Sequence, residues 1–446
     1  MFANFQEMYP NVEFDLQSMS SDNLKTTMRA RAASGDMPDI VTWMKEIEPE
    51  YLMDLTGQAF LDNLNADTVA GANAIYDEGI YAMPIDNGYI ALYYNKDVPA
   101  ANNVELPTTL DEFRTVCETL VANGVTPFAT GCLDLSVPYM GLIGLFAEIV
   151  YGTDPDWSAK RDAGEVSFTT SEGWAKSFEY LKEFIYGYAD PDNTFNMGYD
   201  ESCAALANGE AAFLVQGSWA LSTIRTANPD ANIGLAAIPV FDDAENNKIL
   251  AFPDTSMSIT KDAKNADMAL KFLEYMTSAE AGEIWSRNVA VSSAVNGVEV
   301  DYDPIASDVS YYLTSGKFTP YGDRVLRSIF TDKLWSDFSK VMLDTMTWDE
   351  LAVELDTFWD KARDARAGGY PRSGGFQKRL PERACTLSRK VVIACARRKE
   401  RVCSTSRSSC LHSCCWGYSL SFRLFKAFCS PLRTPTECVR PMTGSA

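Results

Sequence analysis

Histidine is absent from the first 370 residues, because the only histidine of the chain is His412. This absence excludes histidine nucleophile triads, histidine general bases and histidine metal sites from that part of the chain. Neither the G-x-x-x-x-G-K-[ST] nor the G-x-G-x-x-G phosphate loop occurs. No run of about 18 apolar residues is present, so no segment is predicted to span a bilayer. The chain as given also shows no N-terminal export signal.

Acidic residues are scarce after Tyr370, where only Glu382, Glu400 and Glu437 oppose 15 lysines and arginines. The preceding body has the reverse balance, with 58 acidic and 24 basic residues, and only three of the 11 cysteines. Two such compositions rarely belong to one fold. We therefore interpret residues 368–446 as a separate tail, disordered or translated out of frame, and expect it to be structurally autonomous. A genuine basic zinc or nucleic-acid module is the alternative.

The acidic body argues against partners that are themselves anionic. A nucleic acid or an anionic membrane surface would be repelled by so large an excess of carboxylates. About 370 residues exceed what one hydrophobic core usually supports, so two lobes are expected. Cys117, Cys132 and Cys203 are odd in number and lack metal-ligand spacing, which favours small core residues. No metal and no cofactor is predicted.

Helical and strand-like segments alternate along the body. Thr109 with Glu112, and Thr347 with Glu350, are predicted capping boxes at the starts of two helices. Gly35 is placed to end an early helix, because glycine adopts the left-handed conformation of a C-terminal cap. Apolar strand-like runs follow several helices, for example residues 39–43 and 212–215. This alternation predicts α/β layers with largely parallel strands.

Four stretches, taken in this order, resemble extracellular solute-binding protein family 1, the sugar-capturing component of ABC importers. They are residues 33–41 (ASGDMPDIV), 79–97 (GIYAMP to LYYNKD), 209–219 (GEAAF to GSW) and 258–273 (SITK to ALKFL). The resemblance covers nearly all of residues 1–366. It implies an α/β, two-lobed, periplasmic-binding-protein-like type II fold with a ligand cleft between the lobes.

The resemblance also implies how the lobes divide. Residues 1–90 and 256–292 would form the N-terminal lobe, and residues 91–255 and 293–367 the C-terminal lobe. Crossovers are expected near 88–92, 252–257 and 291–301. Family members carry an export signal, usually a lipid-attachment cysteine, and a central strand before the helix that contains Met1. That strand is expected to be missing here, which would expose neighbouring backbone groups and apolar faces.

A sugar presents apolar C–H faces and a rim of hydroxyls, so its site needs aromatic rings and polar acceptors. Trp43 and Trp219 each follow a predicted strand, and Trp335 lies in a late helix; all three match cleft aromatics of the family's maltose-binding branch. The predicted polar partners are Glu46, Asp86, Asn87 and Asp254. Gly88 stands where that branch has a cleft glutamate, so maltose itself is not assumed. Each tryptophan has core packing as its alternative interpretation.

These observations predict a non-catalytic, monomeric protein that binds a mono- or oligosaccharide and delivers it to an ABC permease. The family implies an extracellular location, either periplasmic or anchored to the cell surface. Two alternatives remain open at this point. A secreted glycoside hydrolase would need a carboxylate pair, and an acidic chain offers many. The product of a damaged gene would have no stable function.

Overall fold

The computed structural model describes residues 1–42, 47, 49–76, 78–320, 331–367 and 418–426. These residues form 15 α-helices and several short 3₁₀ turns. The helices are α1 (Phe2–Met8), α2 (Ser21–Ser34), α3 (Ala66–Asn73), α4 (Asp97–Ala101), α5 (Leu110–Ala122), α6 (Ser136–Phe146), α7 (Trp157–Ala163), α8 (Glu172–Tyr180), α9 (Tyr199–Ala207), α10 (Ala220–Ala227), α11 (Ala266–Met276), α12 (Ala279–Val289), α13 (Ala306–Thr314), α14 (Thr331–Met342) and α15 (Trp348–Ala367). Within the described residues, none of them is both long and apolar enough to cross a membrane.

Twelve strands lie in two sheets. They are β1 (Val12–Ser20), β2 (Ile40–Thr42), β3 (Met83–Pro84), β4 (Asp86–Asn95), β5 (Thr126–Phe128), β6 (Ala211–Gly217), β7 (Ile233–Ala236), β8 (Ile249–Pro253), β9 (Ser256–Ile259), β10 (Ser292–Ser293), β11 (Phe318–Pro320) and β12 (Tyr418–Lys426). The five-stranded sheet has the order β1-β12-β2-β9-β3, and we name its lobe the N lobe. The seven-stranded sheet has the order β11-β8-β4-β6-β5, with β7 and β10 also paired to β4; its lobe is the C lobe.

Strand directions differ from the prediction of largely parallel sheets. Among the strands of the described residues, only β5 with β6 and β8 with β11 pair in parallel. The long strand β4 is antiparallel to β6, β7 and β8. Strands β4 and β9 reach their sheets directly from the other lobe. They therefore run in the opposite direction to strands that follow a helix of the same lobe. The prediction of largely parallel strands is wrong.

Strand β12 comes from the tail, yet it lies inside the N-lobe sheet. It is antiparallel to β1 over nine residue pairs, from Val12 opposite Lys426 to Ser20 opposite Tyr418. On its other side it is antiparallel to β2, with Ser421 opposite Val41. This finding corrects the expectation of an autonomous tail for these nine residues, because their backbone pairs with two strands of the body. The tail residues 368–417 and 427–446 lie outside the described part of the chain.

The helix starts follow from local sequence. Thr109 caps α5 by accepting from the Glu112 amide, and the Glu112 carboxylate accepts from the Thr109 amide in return. The same reciprocal bonds join Thr347 and Glu350 before α15. Both predicted capping boxes are confirmed. Gly35 follows α2 with a φ of +67°, the left-handed conformation expected of a C-terminal cap.

Each lobe has its own apolar core. In the N lobe, α1, α11 and the five-stranded sheet enclose Phe5, Ile40, Met83 and Phe272, all fully buried. The C lobe has a larger core, in which α6 packs against β6 and α8. Trp157, Phe168, Trp174 and Trp359 form its aromatic centre.

The chain passes between the lobes at three places. β3 ends at Pro84 and β4 begins at Asp86, while β8 ends at Pro253 and β9 begins at Ser256. The third passage follows β10, because Ala294 and Val295 still pack in the N-lobe core whereas Ile305 and Val309 pack in the C lobe. Residues 88–92, predicted as the first crossover, already lie inside the C-lobe sheet. The division of the chain into lobes by residue ranges stays a prediction.

Candidate ligand-binding cleft

The strands β1, β2 and β3 of the N lobe end at the same edge of their sheet. β2 and β3 are both antiparallel to β9, so they run in one direction. β1 runs with them, because β12 is antiparallel to β1 and to β2. Only Ile85 separates the end of β3 from the start of β4 in the other lobe. The carboxyl edge of the N-lobe sheet therefore faces the C lobe.

The C lobe presents a matching edge. β6 is antiparallel to β4 and ends at Gly217, opposite Ile90 near the start of β4. β8 ends at Pro253, opposite Asn87, and β5 runs parallel to β6. Strand ends of both sheets thus point toward the space between the lobes. In α/β proteins, the residues that follow such carboxyl ends line the ligand site.

Trp219 lies at the C-lobe edge of this cleft, two residues beyond β6 and just before α10. Its ring covers Gly217 so closely that a Cβ atom there would come within 2.4 Å of the indole. Tyr93, fully buried, donates a hydrogen bond of 3.1 Å to the Gly217 carbonyl. The end of β6 is thereby held in place, and the absence of a side chain at position 217 leaves the space that the indole occupies, where it also packs on the C-lobe core.

Trp335 is the most exposed of the predicted aromatic residues that the structure describes, at 39 %. It projects from α14, and its ring meets Tyr139 of α6 edge-on at a centroid distance of 4.7 Å. Tyr139 is buried and also packs on Phe338. An edge-on neighbour supports the indole and leaves part of it open to solvent. Sequence reasoning missed Tyr139, because α6 is apolar on nearly every face and its spacing singles out no residue.

Asp86 occupies the first crossover rather than the open surface. It is 1 % exposed, and its two carboxylate oxygens accept from the Thr255 amide and from Trp285 Nε1, each at 2.7 Å. Burial and the nearby Asp254 raise the pKa of the Asp86 carboxyl from 3.8 to about 7, against the opposing effect of those two donors. The side chain therefore connects the start of β4 to β9 and α12, with both oxygens facing protein donors.

Asn87 and Asp254 lie beside Asp86. The side-chain oxygen of Asn87 accepts from Thr68 Oγ1 at 3.0 Å, and its side-chain nitrogen donates to the Ser293 carbonyl at 3.3 Å. These bonds hold α3, β4 and β10 together at the crossover. The Asp254 amide donates to the Asp86 carbonyl at 3.4 Å. The structure thus brings Asp86, Asn87 and Asp254 into one cluster.

Gly88 is required by the same crossover. A Cβ atom at position 88 would lie 2.8 Å from Cβ of Asp254 and 2.9 Å from the Phe252 ring. A glutamate there, as in the maltose-binding branch that the sequence resembles, would collide with both. The close pairing of β4 with β8 therefore explains why position 88 is a glycine and not a glutamate.

Trp43 and Glu46 lie outside the described residues. The strand that precedes them, β2, ends at Thr42 on the carboxyl edge of the N-lobe sheet. Their assignment to the cleft stays a prediction.

The described residues hold no group of three side chains suited to a metal ion. Cys117, Cys132 and Cys203 are unpaired thiols buried in the C lobe, which confirms the predicted core role. Burial raises the pKa of the Cys117 and Cys203 thiols to about 12, so both stay protonated at neutral pH. These thiols are therefore unsuited to nucleophilic chemistry.

A surface depression of about 450 Å³ lies away from the cleft, near the edge where β2 begins and β9 ends. It is lined by Pro49, Glu50, Leu52, Met53, Asp54, Tyr81 and Lys261. None of the predicted site residues that the structure describes lines it.

Comparison with known proteins places the chain in a family. The family model of the bacterial extracellular solute-binding proteins matches residues 1–283. The Multiple sugar-binding protein of Streptococcus mutans is 27 % identical over 318 residues, which cover 68 % of this chain and 72 % of that protein. The Melibiose/raffinose/stachyose-binding protein MelE of Bacillus subtilis is 22 % identical over 377 residues, covering 81 % and 85 %.

Solved structures agree on the fold. The GacH receptor of Streptomyces glaucescens matches with a TM-score of 0.66 and 19 % identity, covering 81 % of this chain and 93 % of that one. The predicted two-lobed α/β architecture is thereby confirmed. Because the family model spans more than half of the sequence, the chain belongs to the bacterial extracellular solute-binding proteins.

Proposed function

We propose that this chain binds a carbohydrate between its lobes and delivers it to the permease of an ABC transporter. The observation that carries the proposal is Trp219, whose indole lies against Gly217 at the strand end that faces the N lobe. A flat aromatic ring at the mouth of a cleft suits the apolar face of a sugar, for which stacking supplies a large part of the affinity.

A second aromatic side chain supports the same chemistry. Trp335, braced by Tyr139, offers a partly exposed ring in the same lobe. Trp43, Glu46 and Asp254 are proposed as the remaining contacts to the ligand, with carboxylates accepting from sugar hydroxyls. Asp86 and Asn87 are assigned a supporting role, because their polar atoms are engaged in bonds across the crossover.

The relatives indicate which sugars to test first. MelE is named for melibiose, raffinose and stachyose, so α-galactosides are the natural first set. Titration calorimetry with melibiose, raffinose, stachyose and maltotriose is expected to give micromolar binding of at least one, about −8 kcal/mol. If no mono- or oligosaccharide in a broad panel shifts the melting temperature at millimolar concentration, carbohydrate binding is the wrong proposal.

Substitutions at two tryptophans test the site itself. Trp335→Ala is expected to weaken binding about tenfold while leaving the melting temperature nearly unchanged, because the ring is partly exposed. Trp219→Ala is expected to weaken binding at least as much, and Trp219→Phe to restore part of the affinity. Trp348→Ala is the matched control, since this tryptophan of the C lobe packs on Phe178 of α8. Equal affinity in all four proteins would remove both rings from the site.

No turnover of the ligand is expected. The body lacks histidine, and the three described cysteines are buried thiols. Oligosaccharides incubated with the purified protein should be recovered intact by mass spectrometry. Shorter products that disappear on substitution of a single Asp or Glu would instead indicate a glycoside hydrolase.

Closure of the lobes about the three crossovers is the proposed response to ligand. Small-angle scattering with and without the bound sugar measures it directly, and the expected result is a smaller radius of gyration in the complex. An unchanged radius with saturating ligand would argue for a cleft that is already closed.

A further inference from the structure

The C-lobe edge of the cleft continues past Trp219 to two further loops. β5 lies next to β6 and runs parallel to it, so its carboxyl end is at the same edge. On the far side of β5, Ala189 forms a parallel bridge to Phe128. Adjacent strands lie about 4.8 Å apart, so the chain leaves the sheet about 5 Å and about 10 Å to one side of the end of β6. Loops 129–135 and 190–198 therefore extend the cleft edge away from the crossovers.

The two loops are packed on each other and fixed by hydrogen bonds. The Cys132 amide donates to the Thr194 carbonyl at 2.7 Å. The next amide, that of Leu133, donates to the Met197 carbonyl at 3.1 Å. The buried hydroxyl of Thr194 donates in turn to the Thr130 carbonyl. The loops thus form one continuous surface whose shape is set before any ligand arrives.

Two apolar side chains on this surface are open to solvent. Leu133 is 68 % exposed and Phe195 is 48 % exposed. The ring of Tyr186 meets the Phe195 ring edge-on, with centroids 6.1 Å apart. Tyr186 ends the π-helical turn Leu181–Tyr186, a rare conformation that occurs frequently at functional sites. The arrangement resembles Trp335 on Tyr139, with one ring supporting another that stays accessible.

Polar side chains flank the apolar pair in both loops. Asn193 and Asn196 are exposed on either side of Phe195, and Asp134 is exposed next to Leu133. Amide and carboxylate groups of this kind pair with hydroxyls. The centre of a protein–protein contact is instead depleted of charged residues. An accessible ring with amides and an acid beside it therefore fits a sugar better than it fits an apolar protein segment.

We propose that loops 129–135 and 190–198 form an outer subsite for the distal units of an oligosaccharide, with Phe195 as its stacking residue. The proposal rests on the proposed binding of carbohydrate between the lobes, and it adds the length of the ligand. A sugar chain with one unit on Trp219 would pass Leu133 and reach Phe195 two strands away, a span longer than one sugar unit. The ligand class is therefore an oligosaccharide longer than a disaccharide.

Calorimetric titration of the full chain with sugars of increasing length tests the proposal. One series is melibiose, raffinose and stachyose, and the other is maltose, maltotriose and maltotetraose. Phe195→Ala is expected to weaken binding of the longest sugar about fivefold and to leave the shortest sugar that binds unchanged, because only the longer one reaches the outer loops. Phe195→Tyr keeps the ring and should keep the affinity. Tyr311→Ala is the matched control, since it removes a similarly exposed ring from α13.

Trp219→Ala separates this proposal from the proposed function, because it should weaken binding of every sugar in a series. Leu133→Ser should act in the same sense as Phe195→Ala, on the longer sugars only. An equal effect of Phe195→Ala at all lengths would overturn the outer subsite. Unchanged affinity at every length would also overturn it, and would fit contact of this face with a protein such as the permease. If no sugar binds the unmodified protein, carbohydrate binding and the outer subsite fail together.

Discussion

The two lobes are built on opposite plans. The C-lobe sheet is organised around one long strand, β4, which pairs directly with β6, β7, β8 and β10. The N-lobe sheet has no such centre, because β2, β3 and β9 have three, two and four residues. Its most extensive pairing joins β1 to β12, from opposite ends of the chain. One lobe is thus built around a single long central strand, and the other around a pairing between the two ends of the chain.

The cores differ in the same sense. In the aromatic centre of the C lobe, the ring centroid of Trp157 lies 5.7 Å from that of Trp174 and 5.8 Å from that of Trp359. The N-lobe cluster is smaller, with Phe5 against Phe272 at 5.1 Å and Phe14 at 5.9 Å. Because burial of apolar area is the main stabilising contribution, we expect the C lobe to be the more stable unit.

Core truncation in each lobe gives the largest expected effect. Trp174 and Phe5 are both fully buried, so Trp174→Ala and Phe5→Ala should each cost about 3–5 kcal/mol of unfolding free energy. If the lobes unfold separately, Phe5→Ala lowers the first transition in urea and Trp174→Ala the second. Hydrogen exchange of α11 and α8 identifies which lobe each transition reports. A single transition lowered equally by both variants would show that the lobes unfold as one unit.

The crossover acid Asp86 is expected to give the next largest effect, and one that depends on pH. Its folded pKa of about 7 exceeds the ordinary 3.8, so the folded state holds the proton more tightly than the unfolded chain. Its contribution to stability is therefore complete below about pH 4 and is lost as pH rises from there through 7, by roughly 4 kcal/mol. Above pH 7 the contribution no longer changes.

The comparison of Asp86→Asn with the unmodified protein isolates this contribution. The stability difference between the two, from urea midpoints at pH 4.5 and pH 7.5, should shift in favour of the asparagine variant at the higher pH. Asp192→Asn is the control, because Asp192 is exposed in a turn. A difference that stays constant with pH would show that Asp86 is ionised throughout this range.

A second buried acid allows the same test inside the C lobe alone. Glu148 is 3 % exposed and accepts a hydrogen bond of 3.2 Å from the Lys248 amide. Burial raises the pKa of the Glu148 carboxyl well above its ordinary value. The folded state therefore loses stability as pH rises above the pKa that Glu148 has in the unfolded chain. Glu148→Gln should weaken this pH dependence of stability in the C-lobe transition only. An effect on the N-lobe transition would mean that the lobes are energetically coupled.

The smallest expected effect concerns a surface ion pair. Arg114 and Glu183 of the C lobe meet at 2.8 Å, and both side chains are about one-third exposed. Arg114→Leu should change the unfolding free energy by about 0.5 kcal/mol, because exposed pairs are screened by water and salt. The unfolding free energies of both proteins, measured at two salt concentrations, check whether the ion pair is screened. A loss of several kcal/mol would show that ion pairs, and not the aromatic core, set the stability of this lobe.

Sequence reasoning succeeded where a local rule decides the outcome. The Thr109 and Thr347 capping boxes and the Gly35 cap each depend on a few neighbouring residues, and all three are present in the structure. The two-lobed fold followed from a resemblance that extends over most of the body. Strand directions were mispredicted, since direction is set by the passage between lobes, which no local pattern records.

Prediction of the site from the sequence was limited in the same way. A tryptophan after an apolar run indicated Trp219 correctly as a residue at a strand end, although its role in binding stays a proposal. Asp86 was selected as a ligand contact, but its contacts to Thr255 and Trp285 come from segments about 170 and 200 residues away. The strand Tyr418–Lys426 was overlooked, because its alternation is short and the surrounding composition is foreign to the body.

The remote origin of β12 determines when the N lobe becomes complete during synthesis. The other four strands of its sheet lie between Val12 and Ile259, and the last helix of the C lobe ends at Ala367. Roughly 50 further residues precede Tyr418, which a ribosome adds in about 3 to 10 s. Throughout that interval the C lobe has all its described elements, while β1 and β2 await a neighbour. The described elements of the C lobe are therefore all synthesised before the last strand of the N-lobe sheet, although the N lobe begins the chain.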